Sequence, residues 1–261
     1  MASLLLPFRA NILLLFAALI GSLLHHPAHG QIAAQVQVYY APIAKLLQLH
    51  QTDSTLMLRL DSLRTTHRHS RSTVSTLFNR DIDFGIRQRR IAIHTNVGRF
   101  QLELATSNGQ ILALAIAITD VFADSIKPGD QLWQACDTAA IMQYLTRRNG
   151  FYQSRKTLPV FFRELQAMEQ FAPYCGDTSP QTPRGAYIEK LARQNQVATL
   201  AEMLGSIHCE TQAYAVLGFA MLKAPQKISP QQQVLLKHIR TRNSIVITCQ
   251  GCLSGLPSKL Y

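Results

Sequence analysis

Apolar and polar positions along this chain fall into three successive patterns. The first is an apolar run from Ile12 through Leu24, broken only by Gly21 and Ser22. Arg9 is the only charge before it, and His25-His26-Pro27 followed by Ala28-His29-Gly30 closes it. A core of about 13 residues is short of the roughly 20 that a membrane-spanning helix needs. The order of charge, apolar core and small-x-small ending predicts a secretory signal peptide cleaved after Gly30, so that the working chain starts at Gln31. No later stretch is long and apolar enough to span a membrane once the leader is removed.

The second pattern, over residues 31–128, is mixed. Ile43, Leu46, Leu47 and His50 follow a helical spacing, while Leu56, Leu58, Leu60 and Leu63 fit helix or strand. Thr65–Ser72 (TTHRHSRS) is polar and basic and reads as a loop. Alternation then begins: Arg90–His94, a turn at Asn96-Val97-Gly98, and Phe100, Leu102 and Leu104 interleaved with Gln101, Glu103 and Ala105. Ser107-Asn108-Gly109 supplies residues that accept positive φ, which predicts a tight hairpin. Ile111–Ile118 returns apolar on both faces, as a central strand does. A small antiparallel sheet of three or more strands follows, and it must pack on something to be stable.

The third pattern, over residues 129–261, is helical and ends in a cysteine-containing tail. Asp130 is placed to cap a helix with Trp133, Cys136, Ala140 and Tyr144 on one face, closed by Asn149-Gly150. A second helix runs from Pro159 with Phe162, Leu165, Met168 and Phe171 or Ala172 inward, stopped by Pro173. Cys175–Gly185 is a loop by composition. Shorter helices follow around Ile188–Ala192, Val197–Leu204 and Glu210–Lys223, the last ended by Pro225 and carrying Ala213, Val216, Leu217, Ala220 and Met221 on one face. Ser229-Pro230 with Gln232 forms a capping box that opens a final helix. Ser244–Cys249 is extended. The fold class is therefore α+β, a small antiparallel sheet leading into helices.

Charge narrows the choice of partner. The formal net charge is +11, and Arg9 is the only charged residue of the leader, so about +10 remains after cleavage. Such a charge favours anionic partners, among them lipopolysaccharide, anionic lipid, acidic glycans or nucleic acid, and the expected partner is an anionic surface or another envelope protein. Arg64, Arg68 and Arg71, beside His67 and His69, form a basic cluster echoed by Arg87, Arg89 and Arg90. They are the candidate anion-binding residues, with a solvated loop that carries part of the net charge as the other reading. No aromatic residues interleave with these arginines, as single-stranded nucleic-acid platforms require, so no nucleic acid is expected.

The helical pair Val197–Leu204 and Glu210–Leu222, joined by Gly205-Ser206-Ile207-His208-Cys209, resembles a HEAT-type hairpin. The segment from Arg242-Asn243-Ser244 to Thr248-Cys249-Gln250-Gly251-Cys252 looks like the C-terminus of a group of uncharacterised exported bacterial proteins. The resemblance implies a surface that binds other proteins, and it implies no catalytic residue.

Five cysteines, Cys136, Cys175, Cys209, Cys249 and Cys252, carry the remaining chemistry. Export permits disulfides, and the odd number leaves a thiol over. Cys175, Cys249, Cys252 and Cys209 are the disulfide candidates: Cys249 and Cys252 could bridge each other, or one could tie the tail to Cys175. Cys136 is the candidate free thiol. A redox CxxC needs a helix behind it, and Leu253-Ser254-Gly255-Leu256-Pro257 cannot supply one. A zinc shell from Cys175, His208, Cys249 and Cys252 is the alternative, but a two-knuckle site shows CxxC twice and this chain shows it once. Asp81-Ile82-Asp83 beside Arg80 could be a paired-carboxylate motif, although such residues more often cap and solvate. G-x-S-x-G, H-E-x-x-H and P-loop motifs are absent from the sequence. The expectation is an exported, periplasmic or secreted, non-catalytic binding protein with no cofactor, and a cysteine-dependent redox or zinc function as the alternative.

Overall fold

The computed structural model describes residues 47, 49, 51–66, 73–95, 98–121, 131–223, 228–251 and 253–261. The predicted leader, the helical spacing of Ile43 and Leu46, the turn at Asn96-Val97 and the cap expected at Asp130 lie outside the described residues, as does Pro225. Helix α1 (Asp53–Thr66) precedes strands β1 (Thr73–Asp83), β2 (Ile86–His94), β3 (Gly98–Ser107), β4 (Gln110–Val121) and β5 (Gln131–Cys136). Helices α2 (Thr138–Tyr152), α3 (Leu158–Leu165), α4 (Pro183–Arg193), α5 (Val197–Leu204), α6 (Cys209–Ala220) and α7 (Pro230–Arg242) follow. A hairpin of β6 (Val246–Gln250) and β7 (Leu253–Ser258) ends the chain. The fold is α+β, an antiparallel sheet followed by helices.

The first five strands form one antiparallel meander in sequence order. The β3–β4 turn is as the sequence predicts: Asn108 and Gly109 have φ of 49° and 77°, and Ser107 pairs with Gln110. Strand β4 lies between β3 and β5, which accounts for its apolar character on both faces. β1 escapes the pattern because register shifts at Thr76/Phe78 and at Asp81/Asp83 break its alternation.

α1 covers one face of the sheet. Leu56 and Leu60, one turn apart, pack with Ile91, Ile93, Phe100, Leu102, Leu104, Leu114 and Ile116. The Thr52 hydroxyl accepts from the Thr55 amide at 3.1 Å, Asp53 N–H donates to Gly109 C=O at 2.9 Å, and Asp53 pairs with Arg89. α1 continues through Thr66, so the first two residues of the expected loop are helical.

The helices cover the other face. Ile141, Tyr144, Leu145, Phe161, Phe162 and Leu165 pack onto Ile82, Ile86, Ala105, Ala113 and Ala115. Three helix boundaries differ from expectation. Asp137 caps α2, accepting from Ala140 N–H at 3.0 Å, while Trp133 and Cys136 belong to β5. A helical spacing had straddled a strand and a cap. α2 also runs past Asn149-Gly150 to Tyr152, with Gln153 in the left-handed region closing it. α3 ends at Leu165 and does not reach Pro173, leaving Met168 57% exposed. The carbonyls of Leu165 and Ala167 are taken by Gln88 and Arg90 of the sheet, which holds the chain out of helix there.

A third core joins α4, α5, α6 and α7 through Ile188, Leu200, Leu204, Tyr214, Phe219, Leu236 and Ile239. α6 is buried around most of its circumference, whereas Ala220 and Met221, expected on its inward face, are exposed. Arg148 of α2 donates to the C=O groups of Gly205 and Ser206 at 2.8 and 2.5 Å, placing a cation at the C-terminal end of α5. The capping box at Ser229 and Gln232 is present as read, with Asn243 in the left-handed region closing α7.

Gly185 in the first turn of α4 lets that helix approach the chain before it. A Cβ there would lie 2.3 Å from the Pro173 carbonyl oxygen and 2.9 Å from its Cα. Backbone cannot move aside as a side chain can, so Gly185→Ala is expected to cost about 1–3 kcal/mol, read as a lower urea midpoint. An unchanged midpoint would show that α4 tolerates the displacement.

Candidate functional site

The cysteines resolve into one bridge and two thiols among the described residues. Cys175 and Cys249 are joined, with Cα atoms 5.5 Å apart and a sequence separation of 74. Backbone contacts hold the two segments in place: Phe171 N–H donates to Ile247 C=O at 2.7 Å, and Gly176 N–H to Gly251 C=O at 2.9 Å. The tail hairpin is thus pinned to the loop between α3 and α4. Cys209, a disulfide candidate by sequence, is instead a free buried thiol, 3.5 Å from the Ser244 hydroxyl oxygen at the start of α6. Cys136 is free as expected, but lies on a strand, and burial pushes its thiol pKa up. Cys252 lies outside the described residues, as do Arg68 and Arg71. Arg64 falls within α1, and its side chain is not described.

The proposed zinc ligands are not brought together. The sulfurs of Cys175 and Cys249 are bonded to each other. His208 Nε2 lies 2.9 Å from Glu210 Oε2 and its Nδ1 3.2 Å from the Thr211 hydroxyl, so both ring nitrogens are engaged. Among the described residues no cluster of three or more His, Cys, Asp or Glu is arranged to hold a metal.

The polar residues interleaved in the sheet strands do not face water. Arg80, Gln88, Arg90, Gln101 and Glu103 are all buried beneath the helices. Arg80 Nε donates to Gln88 Oε1 at 2.8 Å, and Gln88 Nε2 donates to Glu103 Oε2 at 2.9 Å. Gln101 donates to Glu103 at 2.7 Å, and Arg90 forms an ion pair with the same carboxylate. Phe78 lies under both guanidinium groups, 4.3 Å from that of Arg80 and 4.9 Å from that of Arg90.

From the helical side, Glu210 reaches Arg80 Nη1 at 2.5 Å, with side chains 1% and 0% exposed. The same oxygen accepts the Ile247 N–H at 2.8 Å. One carboxylate therefore links β1, α6 and β6. Burial alone would raise the Glu210 pKa, but Arg80 and His208 outweigh it and hold the carboxyl well below its usual range. At Glu103 burial prevails over Arg90 and Gln88, and the pKa is raised.

A second constellation sits at the β1–β2 tip. Asp83, Phe84 and Gly85 all have positive φ, at 100°, 51° and 80°. Non-glycine residues held there concentrate where the surroundings over-determine the backbone. The turn separates the two carboxylates that adjoin in sequence. Asp81 is exposed and accepts the Asp83 N–H at 2.6 Å, whereas Asp83 is buried. Asp83 accepts from the Tyr152 hydroxyl at 2.6 Å and lies 3.0 Å from both His238 Nε2 and Arg242 Nη1. The Phe84 ring stacks on His238 at 6.3 Å and meets Phe151 edge-on at 5.5 Å. Burial would raise the Asp83 pKa, but Arg242, Tyr152 and His238 lower it overall. His238 is 34% exposed, so the pair has the form of a carboxylate-oriented imidazole. Among the described residues both hydrogen-bond contacts of the imidazole Nε2 are to the Asp83 carboxylate.

The sequence motif Asp81-Ile82-Asp83 marks this site but not its partners, which come from α2 and α7. Asp83→Asn is expected to cost about 2–3 kcal/mol, somewhat under the figure for a fully buried pair because His238 is partly exposed. The measurement is the urea midpoint at neutral pH. A variant as stable as the parent would show that the Arg242 contact contributes nothing net.

No helix among the described residues is long and apolar enough to cross a membrane. Comparison with protein-family models, with curated proteins and with solved structures gives no match, so the reading of this chain rests on its own residues and geometry.

Proposed function

We propose that the protein is an exported, non-catalytic binding protein of the cell envelope, periplasmic or secreted, whose basic exterior meets an anionic surface or another envelope protein. The observation that carries the reading is where the charge lies. Among the described residues the buried ionic groups are three arginines (Arg80, Arg90, Arg148) and three carboxylates (Asp83, Glu103, Glu210), which cancel. The charge of the chain, about +10 without the leader, is therefore left to its half-buried, exposed and undescribed positions, where it acts at long range. Arg147, Arg155, Lys237 and Arg240 are exposed on the helical side, on or next to α2 and α7, which lie outside the HEAT-like pair. The leader-like N-terminus and the Cys175–Cys249 bond favour an oxidising compartment.

Co-sedimentation of the chain from Gln31 onward with anionic and with zwitterionic vesicles tests the proposal. Binding is expected on the anionic vesicles only, weakening steeply with salt and with Arg147→Glu combined with Arg240→Glu. Equal retention on both vesicle types, or binding insensitive to salt, would remove the electrostatic reading. Thiol titration with metal analysis addresses the cysteine alternative. Zinc at one per chain, lost in Cys249→Ser, would replace the binding reading with a metal site.

A further inference from the structure

A cleft of about 300 Å³ opens among α3, the segment after it, α5 and the start of α6. Its charged lining is Lys156, Arg163, Glu164, Glu169 and Glu202, with His208 on one wall. Most of these groups are committed to partners. Lys156 Nζ meets Glu164 Oε1 at 2.6 Å, and the other oxygen of Glu164 accepts from the Ser206 hydroxyl and the Ile207 N–H. Glu169 pairs with Arg184 at 2.9 Å and accepts from the Thr211 hydroxyl at 3.3 Å. Both nitrogens of His208 are engaged, by Glu210 and Thr211. That leaves Arg163 on α3 and Glu202 on α5. Both are exposed, and among the described residues neither pairs with the other or with any other side chain.

We propose that this cleft binds a small zwitterion of dipeptide size, its carboxylate on Arg163 and its ammonium on Glu202. The volume is at the lower end of small-molecule sites, which limits the ligand to a few residues of peptide. Two opposite charges on separate helices line one concavity without collapsing onto each other, and a ligand carrying both charges satisfies them together. The Ser206, His208 and Thr211 side chains are already bonded within the wall, so it is rigid and the specificity falls to the two free charges. α6 has no side-chain cap at His208, and His208 and Thr211 both line the cleft. Glu210 in its first turn already meets the partial positive charge of that helix end, so the attraction for a carboxylate falls to Arg163. The site is independent of the basic exterior, so vesicle binding and zwitterion binding can fail separately.

Calorimetric titration of the purified protein with L-alanyl-L-alanine, its N-acetyl form and its C-terminal amide tests the assignment. Saturable binding of the free dipeptide is expected, weakened about tenfold or more by blocking either end. Arg163→Gln should weaken the free dipeptide and abolish its advantage over the amide. Glu202→Gln should do the same for the advantage over the acetyl form. Both residues are exposed, so the urea midpoints of the variants should match the parent. Absence of saturable binding, equal binding of the blocked forms, or variants that bind as the parent does would each overturn the proposal.

Discussion

Glu210→Ala is expected to lower the unfolding free energy by about 3–5 kcal/mol, the cost of leaving a buried partner charge without its counter-ion. Arg80 is 0% exposed and cannot turn to water when the carboxylate is removed. The same substitution frees the Ile247 N–H of β6 and removes the partner of His208 Nε2, so strand, helix and tail loosen together. Urea unfolding reads the effect. A double variant, Arg80→Met with Glu210→Leu, should recover much of the loss, because apolar residues of similar volume can replace a buried pair. If the single variant unfolds at the parent's midpoint, the pair is not what joins the sheet to the helices.

Acid should expose the same linkage. A carboxyl whose pKa is depressed by folding contributes its full stabilisation at neutral pH, and loses it as pH falls below the unfolded value of about 4. Glu210 and Asp83 both act in this direction. Glu103, raised by burial, acts oppositely, its contribution being lost as pH rises through its folded value. Asp53 is raised as Glu103 is, and Glu189 lowered as Glu210 and Asp83 are, so the contribution of Glu210 is isolated by its own variant: the Glu210→Ala profile should be flatter than the parent's below about pH 4.

Reducing the Cys175–Cys249 bond should cost about 4 kcal/mol on the chain-entropy relation for the separation of 74 residues. The effect reaches beyond the loop it closes, because the bond pins the hairpin whose Ile247 amide caps Glu210. The parent's urea midpoint should fall on adding reductant. Cys249→Ser should start from the lower value and show no further response. Coincident curves for oxidised and reduced parent would mean that the backbone contacts at Phe171 and Gly176 hold the tail unaided.

Legibility varied with the range of the interaction. The β3–β4 hairpin was readable because Asn108-Gly109 adopts the turn its residue types favour. The capping box at Ser229 and the short helix at Val197–Leu204 were readable for the same reason, each being closed within a few residues. β1 was not, because bulges shift its alternation, and β5 was not, because six residues before a cap share a helical spacing with the helix beyond. At the candidate sites the sequence marked Asp83, Cys175, Cys249 and His208. It could not pair Cys175 with Cys249 in preference to Cys252, nor direct His208 to Glu210 in place of a metal.

Hydrophobic periodicity and turn chemistry act over fewer than about a dozen residues, and within that reach they specified the class of fold, the central strand and most helices of this chain. The polar alternation of Gln88, Arg90, Gln101 and Glu103 carries no such mark, since the same spelling serves a wetted sheet face and a buried ionic one. Its meaning was set when α3 and α6 covered it and Glu210 met Arg80 across 130 positions of chain. A buried charge is tolerated only where partners meet it, a carboxylate for Arg80 and backbone carbonyls for Arg148, and that juxtaposition comes from packing and not from neighbours in sequence.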